Sequence, residues 1–260
     1  MTNERHQPRP RHSAARNAAR VALLAALALA ACEKPREERN RGDTAPPPPS
    51  GPRASNGQRV ADDGNWVLPS KDVQGTRFSG LDQINTGNVA NLKLAWTFST
   101  GVLRGQEAAP LYADGTIYVV TPFPNILYAL DLTGAARWSY KPRPSASAQG
   151  VACCDVVNRG AVLEGGKVIV GNSGGEMGVR GWLTALDVNT GRQVWRAYAT
   201  GPDKDVLIGP RFHPHYAQDR GVDLGVKTWP GDAWKIGGGT MWGWVTYDPE
   251  TNLIFAGTAN

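Results

Sequence analysis

Between residues 93 and 257 short apolar runs are separated by clusters of Gly, Pro, Asn and Asp. That is the pattern of short strands joined by tight turns. It predicts strands at 93–99 (KLAWTFS), 116–120 (TIYVV), 127–131 (LYALD), 168–171 (VIVG), 183–187 (LTALD), 194–198 (VWRAY), 244–247 (WVTY) and 253–257 (LIFAG). No long period of 3.6 residues runs between them, and 81–92 (LDQINTGNVANL) predicts no more than a short helical turn.

The strand pattern repeats. Residues 129–138 (ALDLTGAARW) are matched by 185–195 (ALDVNTGRQVW), with Asp131 and Asp187 56 positions apart and Trp138 and Trp195 57 apart. A partial earlier copy, Leu94-Ala95-Trp96, ends 42 positions before Trp138. Each copy predicts a hairpin: an Ala-x-Asp strand, a Thr-Gly turn in which Gly takes positive φ, and a strand whose Trp docks on the neighbouring unit. Units of this size stacked radially make a β-propeller of four-stranded blades, so the expected fold class is all-β.

Composition agrees: Gly is 31 of 260 residues, about 12% against the usual ~7%. With 41% hydrophobic and 20% charged residues, the chain is neither a disordered tail nor a charge-rich coiled coil. The net charge of +5 is misleading as a whole. Five Arg against one Glu fall in residues 1–32, which leaves 23 basic and 22 acidic residues for 33–260. The body is near neutral and offers no nucleic acid a basic face.

The first segment has the form of an export signal, Arg-rich and then apolar over the eleven residues 21–31; a bilayer span needs about 20. Leu29-Ala30-Ala31-Cys32 looks like a lipobox, which would lipidate Cys32 and anchor the mature protein to a membrane; ordinary signal cleavage nearby is the other reading. Residues 33–58, rich in Pro and charge, are expected to be a disordered tether, and 59–260 the propeller part.

Three further motifs stand at 151–160 (VACCDVVNRG), 173–181 (SGGEMGVRG) and 237–244 (GGGTMWGW). With the Trp repeats, they resemble the quinoprotein alcohol dehydrogenases, the eight-bladed methanol and ethanol dehydrogenase group that uses pyrroloquinoline quinone (PQQ). The resemblance covers about residues 65–260.

On their own, Cys153 and Cys154 read either as two buried thiols or as a bond strained by Cα atoms about 3.8 Å apart. The resemblance implies a vicinal disulfide on one face of the quinone, with Trp242 stacked on the other and Thr240 bonding the rim. Taken alone, Trp242 and Trp244 would be blade packing; the family leaves only Trp244 to that role. PQQ carries three carboxylates. The resemblance pairs Arg159 with one, assigns Ser173 and the N–H groups of Gly174 and Gly175 to another, and gives Glu107, otherwise a solvated loop residue, a polar contact to the quinone.

It also implies a Ca²⁺ or lanthanide ion held by Glu176 and Asn260, hard-cation ligands of carboxylate and amide oxygen. That ion would polarise a quinone carbonyl while an Asp takes the alcohol proton. The Asp belongs to the family pattern beyond residue 260, so no catalytic base is assigned. The implied partners are a small primary alcohol and a periplasmic cytochrome c-type electron acceptor; no Cys-x-x-Cys-His haem motif occurs.

The chain departs from the family in two ways. It spans about half of a family-sized propeller, and it lacks about 50 residues, roughly one repeat, at the junction of Gly160 and Ala161; the expectation is an N-terminal portion of an exported quinoprotein alcohol dehydrogenase that binds its cofactor incompletely. The missing stretch normally carries a docking Trp and a cofactor-contacting Thr. The remaining motifs are weaker: His213-Pro214-His215 is expected in a surface loop, Asp203-Lys204-Asp205 as a solvated turn, and Gly237 to Gly239 are no phosphate loop. The competing functional class is a non-enzymatic lipoprotein propeller acting as a scaffold in envelope assembly.

Overall fold

The computed structural model describes residues 62–145, 156–176, 178–210, 218 and 221–259. Cys32 and the proposed signal and tether lie outside them.

Among the described residues ten strands form three antiparallel sheets. β1 (Leu111–Ala113), β2 (Thr116–Val120), β3 (Leu127–Leu130) and β4 (Ala136–Tyr140) make one four-stranded sheet in chain order. β5 (Ala161–Glu164), β6 (Lys167–Gly171), β7 (Trp182–Asp187) and β8 (Gln193–Tyr198) make a second in the same order, and β9 (Val245–Asp248) pairs with β10 (Leu253–Ala256). The two four-stranded sheets share an irregularity. Register shifts between the third and fourth strands at Ala129/Leu130 in one and at Ala185/Leu186 in the other. A bulge at the same place in each copy is the structural form of the sequence repeat.

Burial follows the stacking. β2 alternates buried and half-buried positions, as a sheet with one covered face does. β6 and β7 are buried almost continuously, because the second sheet is covered on both sides. On one face Ala161, Leu163, Val168 and Val170 meet Leu111, Tyr118, Val120 and Leu127 of the first sheet. On the other, Val162, Ile169, Leu183 and Ala185 meet Val245, Trp195, Tyr247 and Ile254.

Tryptophans dock on the turns of the two four-stranded sheets, and one of them, Trp138, joins the first sheet to the second. Trp138 donates its Nε1–H to the Val188 carbonyl at 3.0 Å, and Trp96 donates to the Leu132 carbonyl at 2.8 Å. Each indole lies against a glycine of the next turn: a Cβ at Gly191 would sit 2.5 Å from Trp138 Cε3, and one at Gly134 2.7 Å from Trp96 Cδ2. Both glycines have positive φ, 68° and 85°. The turn geometry and the close approach therefore demand the same residue.

The expected strands at 116–120, 127–131, 168–171, 183–187, 194–198, 244–247 and 253–257 form with ends shifted by about one residue. β4 is the Trp strand of the expected hairpin, whereas β1 and β5 are additions to the expected set. Residues 93–99 form no strand, because they find no ladder partner among the described residues and Leu94 is left exposed. Of the helical turn expected at 81–92, only a 3₁₀ turn at Val89–Asn91 forms.

Candidate functional site

The loops at one end of the sheets bring together most of the residues singled out above. Arg159, two residues before β5, donates its backbone N–H to the Trp242 carbonyl at 2.9 Å. Its guanidinium carbon lies 5.2 Å from the Trp242 ring centroid, and its Nε lies 3.3 Å from Glu107 Oε2. The ion pair is about half exposed on both sides, so it orders the site more than it stabilises the fold. Trp242 is half-buried.

Beneath them the turn after β6 is stitched to the glycine run. Gly238 N–H donates to the Gly175 carbonyl at 2.8 Å, Gly181 N–H to the Gly238 carbonyl at 2.8 Å, and Gly178 N–H to the Ile236 carbonyl. A Cβ on Gly175 would strike the side chain of Thr240, and one on Gly181 the backbone of Gly239. Thr240 is buried and exchanges backbone hydrogen bonds with Ala259, at 3.1 and 2.9 Å. Gly174 and Gly175 are buried, yet among the described residues their N–H groups have no acceptor. Adjacent buried donors without acceptors suit an anionic ligand.

Ser173 is placed differently from the role expected of it. It is buried with its Oγ 2.8 Å from the Val156 carbonyl and 2.9 Å from Asn125 Oδ1, so its hydroxyl is engaged inside the protein. Glu176 is half-buried at the rim of the same turn. Among the described residues no three His, Cys, Asp or Glu side chains gather as a metal site. Cys153, Cys154 and Asn260 lie outside the described residues, as do His213 and His215.

Sequence reading missed two features. The first is a set of fully buried asparagines, Asn125, Asn158 and Asn172; their only signal was polar residues inside apolar loops. The second is Arg180, whose guanidinium carbon lies 3.8 Å from the Tyr198 ring and 4.9 Å from that of Trp234. Arg180 also donates to the Thr200 carbonyl at 2.6 Å and pairs with Asp205 at 3.1 Å. Asp205 is thus an ion-pair partner within a helical turn, Asp203–Val206, instead of part of a solvated turn.

Residues 66–161 match the family model described as the β-propeller domain of glucose, ethanol and alcohol dehydrogenases. The chain is 47% identical over 254 positions to a methanol dehydrogenase [cytochrome c] subunit 1 of Methylorubrum extorquens, covering 76% of this chain and 40% of that protein. It is 43% identical over 245 positions to a lanthanide-dependent methanol dehydrogenase of Methylacidiphilum fumariolicum, covering 76% and 40%. A quinohemoprotein alcohol dehydrogenase of Pseudomonas putida is 35% identical over 246 positions, covering 76% and 33%. Among solved structures, a europium-containing methanol dehydrogenase matches with a TM-score of 0.47 and 43% identity, over 75% of this chain and 42% of that one. The chain thus spans about two fifths of the length of the first of these relatives. Because 76% of 260 residues is about 198, the 254-position alignment leaves about 56 positions without a counterpart in this chain.

Proposed function

We propose, from the premise that this chain carries the β-propeller domain of the glucose, ethanol and alcohol dehydrogenase family, that its loop cluster is part of a PQQ site in an exported alcohol dehydrogenase. The observation that carries this reading is the contact of Glu107, Arg159 and Trp242, with Thr240, two residues before Trp242, packed on Gly175, whose N–H, like that of Gly174, has no acceptor among the described residues. The donor set suits a flat tri-acid. Trp242 offers an aromatic face, Arg159 a cation whose fork fits a carboxylate, and the two glycines backbone donors.

When bound, the quinone would supply the two-electron acceptor for alcohol oxidation. The chain's own residues do the holding. Glu107 fixes the Arg159 guanidinium in place, the backbone bond from Arg159 to Trp242 keeps cation and ring together, and Thr240 packed on Gly175 sets the depth of the turn. Ser173 acts from behind, orienting the Gly174 and Gly175 N–H groups instead of meeting the ligand. Cys153 and Cys154 are proposed to form a vicinal disulfide facing Trp242, and Glu176 and Asn260 to ligate Ca²⁺ or a lanthanide.

A small primary alcohol is the proposed substrate and a periplasmic c-type cytochrome the acceptor. The names of the relatives, a methanol dehydrogenase [cytochrome c] subunit and a lanthanide-dependent methanol dehydrogenase, support the alcohol, the cytochrome and the lanthanide. Export to the periplasm, with Cys32 lipidated as a membrane anchor, completes the reading.

The test is equilibrium binding of PQQ to the full chain with Ca²⁺ or La³⁺, read by quenching of tryptophan fluorescence. Saturable quenching is expected. Arg159→Ala should weaken it about tenfold or more, the weight of a charge-assisted hydrogen bond. Absence of saturable binding to the wild-type chain, or equal binding by Arg159→Ala, would overturn the site. In the same samples, alkylation without reductant should leave Cys153 and Cys154 unlabelled, and labelling of both would remove the disulfide.

A further inference from the structure

Asn125 joins three loops that are distant in sequence. It is fully buried in the turn between β2 and β3, with φ of 63°. Its Oδ1 accepts from Asn158 Nδ2 at 3.0 Å and from the Ser173 N–H at 3.1 Å, and lies 2.9 Å from Ser173 Oγ. Asn158 passes the connection on, donating to the Gly171 carbonyl at 3.0 Å and accepting the Gly160 N–H at 3.1 Å. One carboxamide thereby ties a turn of the first sheet to the segment carrying Arg159 and to the turn carrying Gly174 and Gly175. A buried, fully satisfied polar network of this kind fixes a single arrangement of the loops it joins.

The two sheets are direct neighbours here. Residues 156–160 lead straight into β5, and Trp138 of the first sheet docks on Gly191 of the second. The first relative has about 56 positions more than this chain over the aligned region, close to the 56-residue period of the repeat. The turn of Asn125 and the turn of Ser173 meet directly through their hydrogen bonds.

Resting on the proposed quinone site, we propose that Asn125 is its positioning residue: it sets the distance between Arg159 and the Gly174 and Gly175 donors, so that one polycarboxylate ligand is gripped by both.

The test compares the full chain with N125G, which keeps the left-handed backbone but loses the acceptor, and N125D, which keeps acceptor oxygens in place. Two readouts are needed: affinity for PQQ against its trimethyl ester, and hydrogen exchange of residues 156–160 and 172–176. The wild type should prefer the free acid. N125G should lose that preference about tenfold while ester affinity stays level, since general damage would weaken both ligands alike. Exchange should accelerate in the two loops and not in β6 or β7, and N125D should keep it near the wild-type rate. N125G with wild-type preference and wild-type exchange would overturn the role of Asn125. A wild type that binds neither quinone would overturn the proposed function, and exchange would then decide on Asn125: acceleration confined to the two loops upholds its positioning role, and no change overturns it.

Discussion

Single residues in this protein matter through the backbone they hold. Arg180 is the clearest case away from the site, since its guanidinium is stacked between two rings while bonded to Asp205 and the Thr200 carbonyl. Lysine would keep the charge and lose the planar fork and the stacking. We expect Arg180→Lys to lower stability by about 1–3 kcal/mol, seen as a lower urea midpoint with an unchanged slope. At this scale the motifs singled out Arg159, Trp242 and Glu107, while the ion pair and the cation–ring contact that join them were not legible. Nor was the sequence legible for Asn125, Asn158 or Arg180, because nothing local distinguishes a buried asparagine from a turn asparagine until its partners, 33 to 48 positions away, are known.

The repeated element is the Asp-turn hairpin. Asp131 accepts the Thr133 and Ala135 N–H groups, and Asp187 those of Asn189 and Thr190. Asp248 accepts the Glu250 N–H in a third turn of the same kind. Bonds from Thr133, Thr190 and Thr251, followed by backbone N–H donors, hold these carboxyls below their ordinary range. Asp62 is held lower still by Lys71, Ser79 and Gly64. A carboxyl lowered in the folded state stabilises it above the unfolded value of about 4, and that contribution is lost as pH falls through the folded value. Urea midpoints should therefore hold steady from pH 7 to about 5 and fall below about 4, and Asp62→Asn should flatten that fall. The Trp-Gly contact is equally specific. Gly191→Ala should cost about 1–3 kcal/mol by pushing Trp138 from its seat, with the near-ultraviolet dichroism of tryptophan reporting the loss. The Asp, Thr, Gly and Trp of this element were visible in sequence because backbone geometry requires them. The edge strands β1 and β5 were not, since pairing forms them and their own composition does not.

Across the molecule, the middle sheet is sealed on both faces while apolar side chains remain uncovered at the margins, among them Leu94, Leu103, Leu253 and Phe255. Among the described residues β10 pairs with β9 alone and carries the last two, and an edge of this kind can pair with another strand. The full chain alone should self-associate with rising concentration in sedimentation velocity, and Phe255→Lys should reduce the association; a monomer at every concentration would show these margins to be inert. The order of sheets along the chain was readable from the repeat, whereas which sheets touch depended on the junction at Gly160 and became plain only from the contact of Trp138 with Gly191.

That contact also bears on how such a protein changes over generations. The indole meets a carbonyl and a bare α-carbon, groups that the turns at Gly134 and Gly191 both display whatever their other side chains. A module that recognises its successor through backbone alone accepts any successor of the same shape. An excision or duplication with its breakpoints between modules then leaves each seam as well made as before, and the number of modules becomes a quantity that recombination can alter in one step.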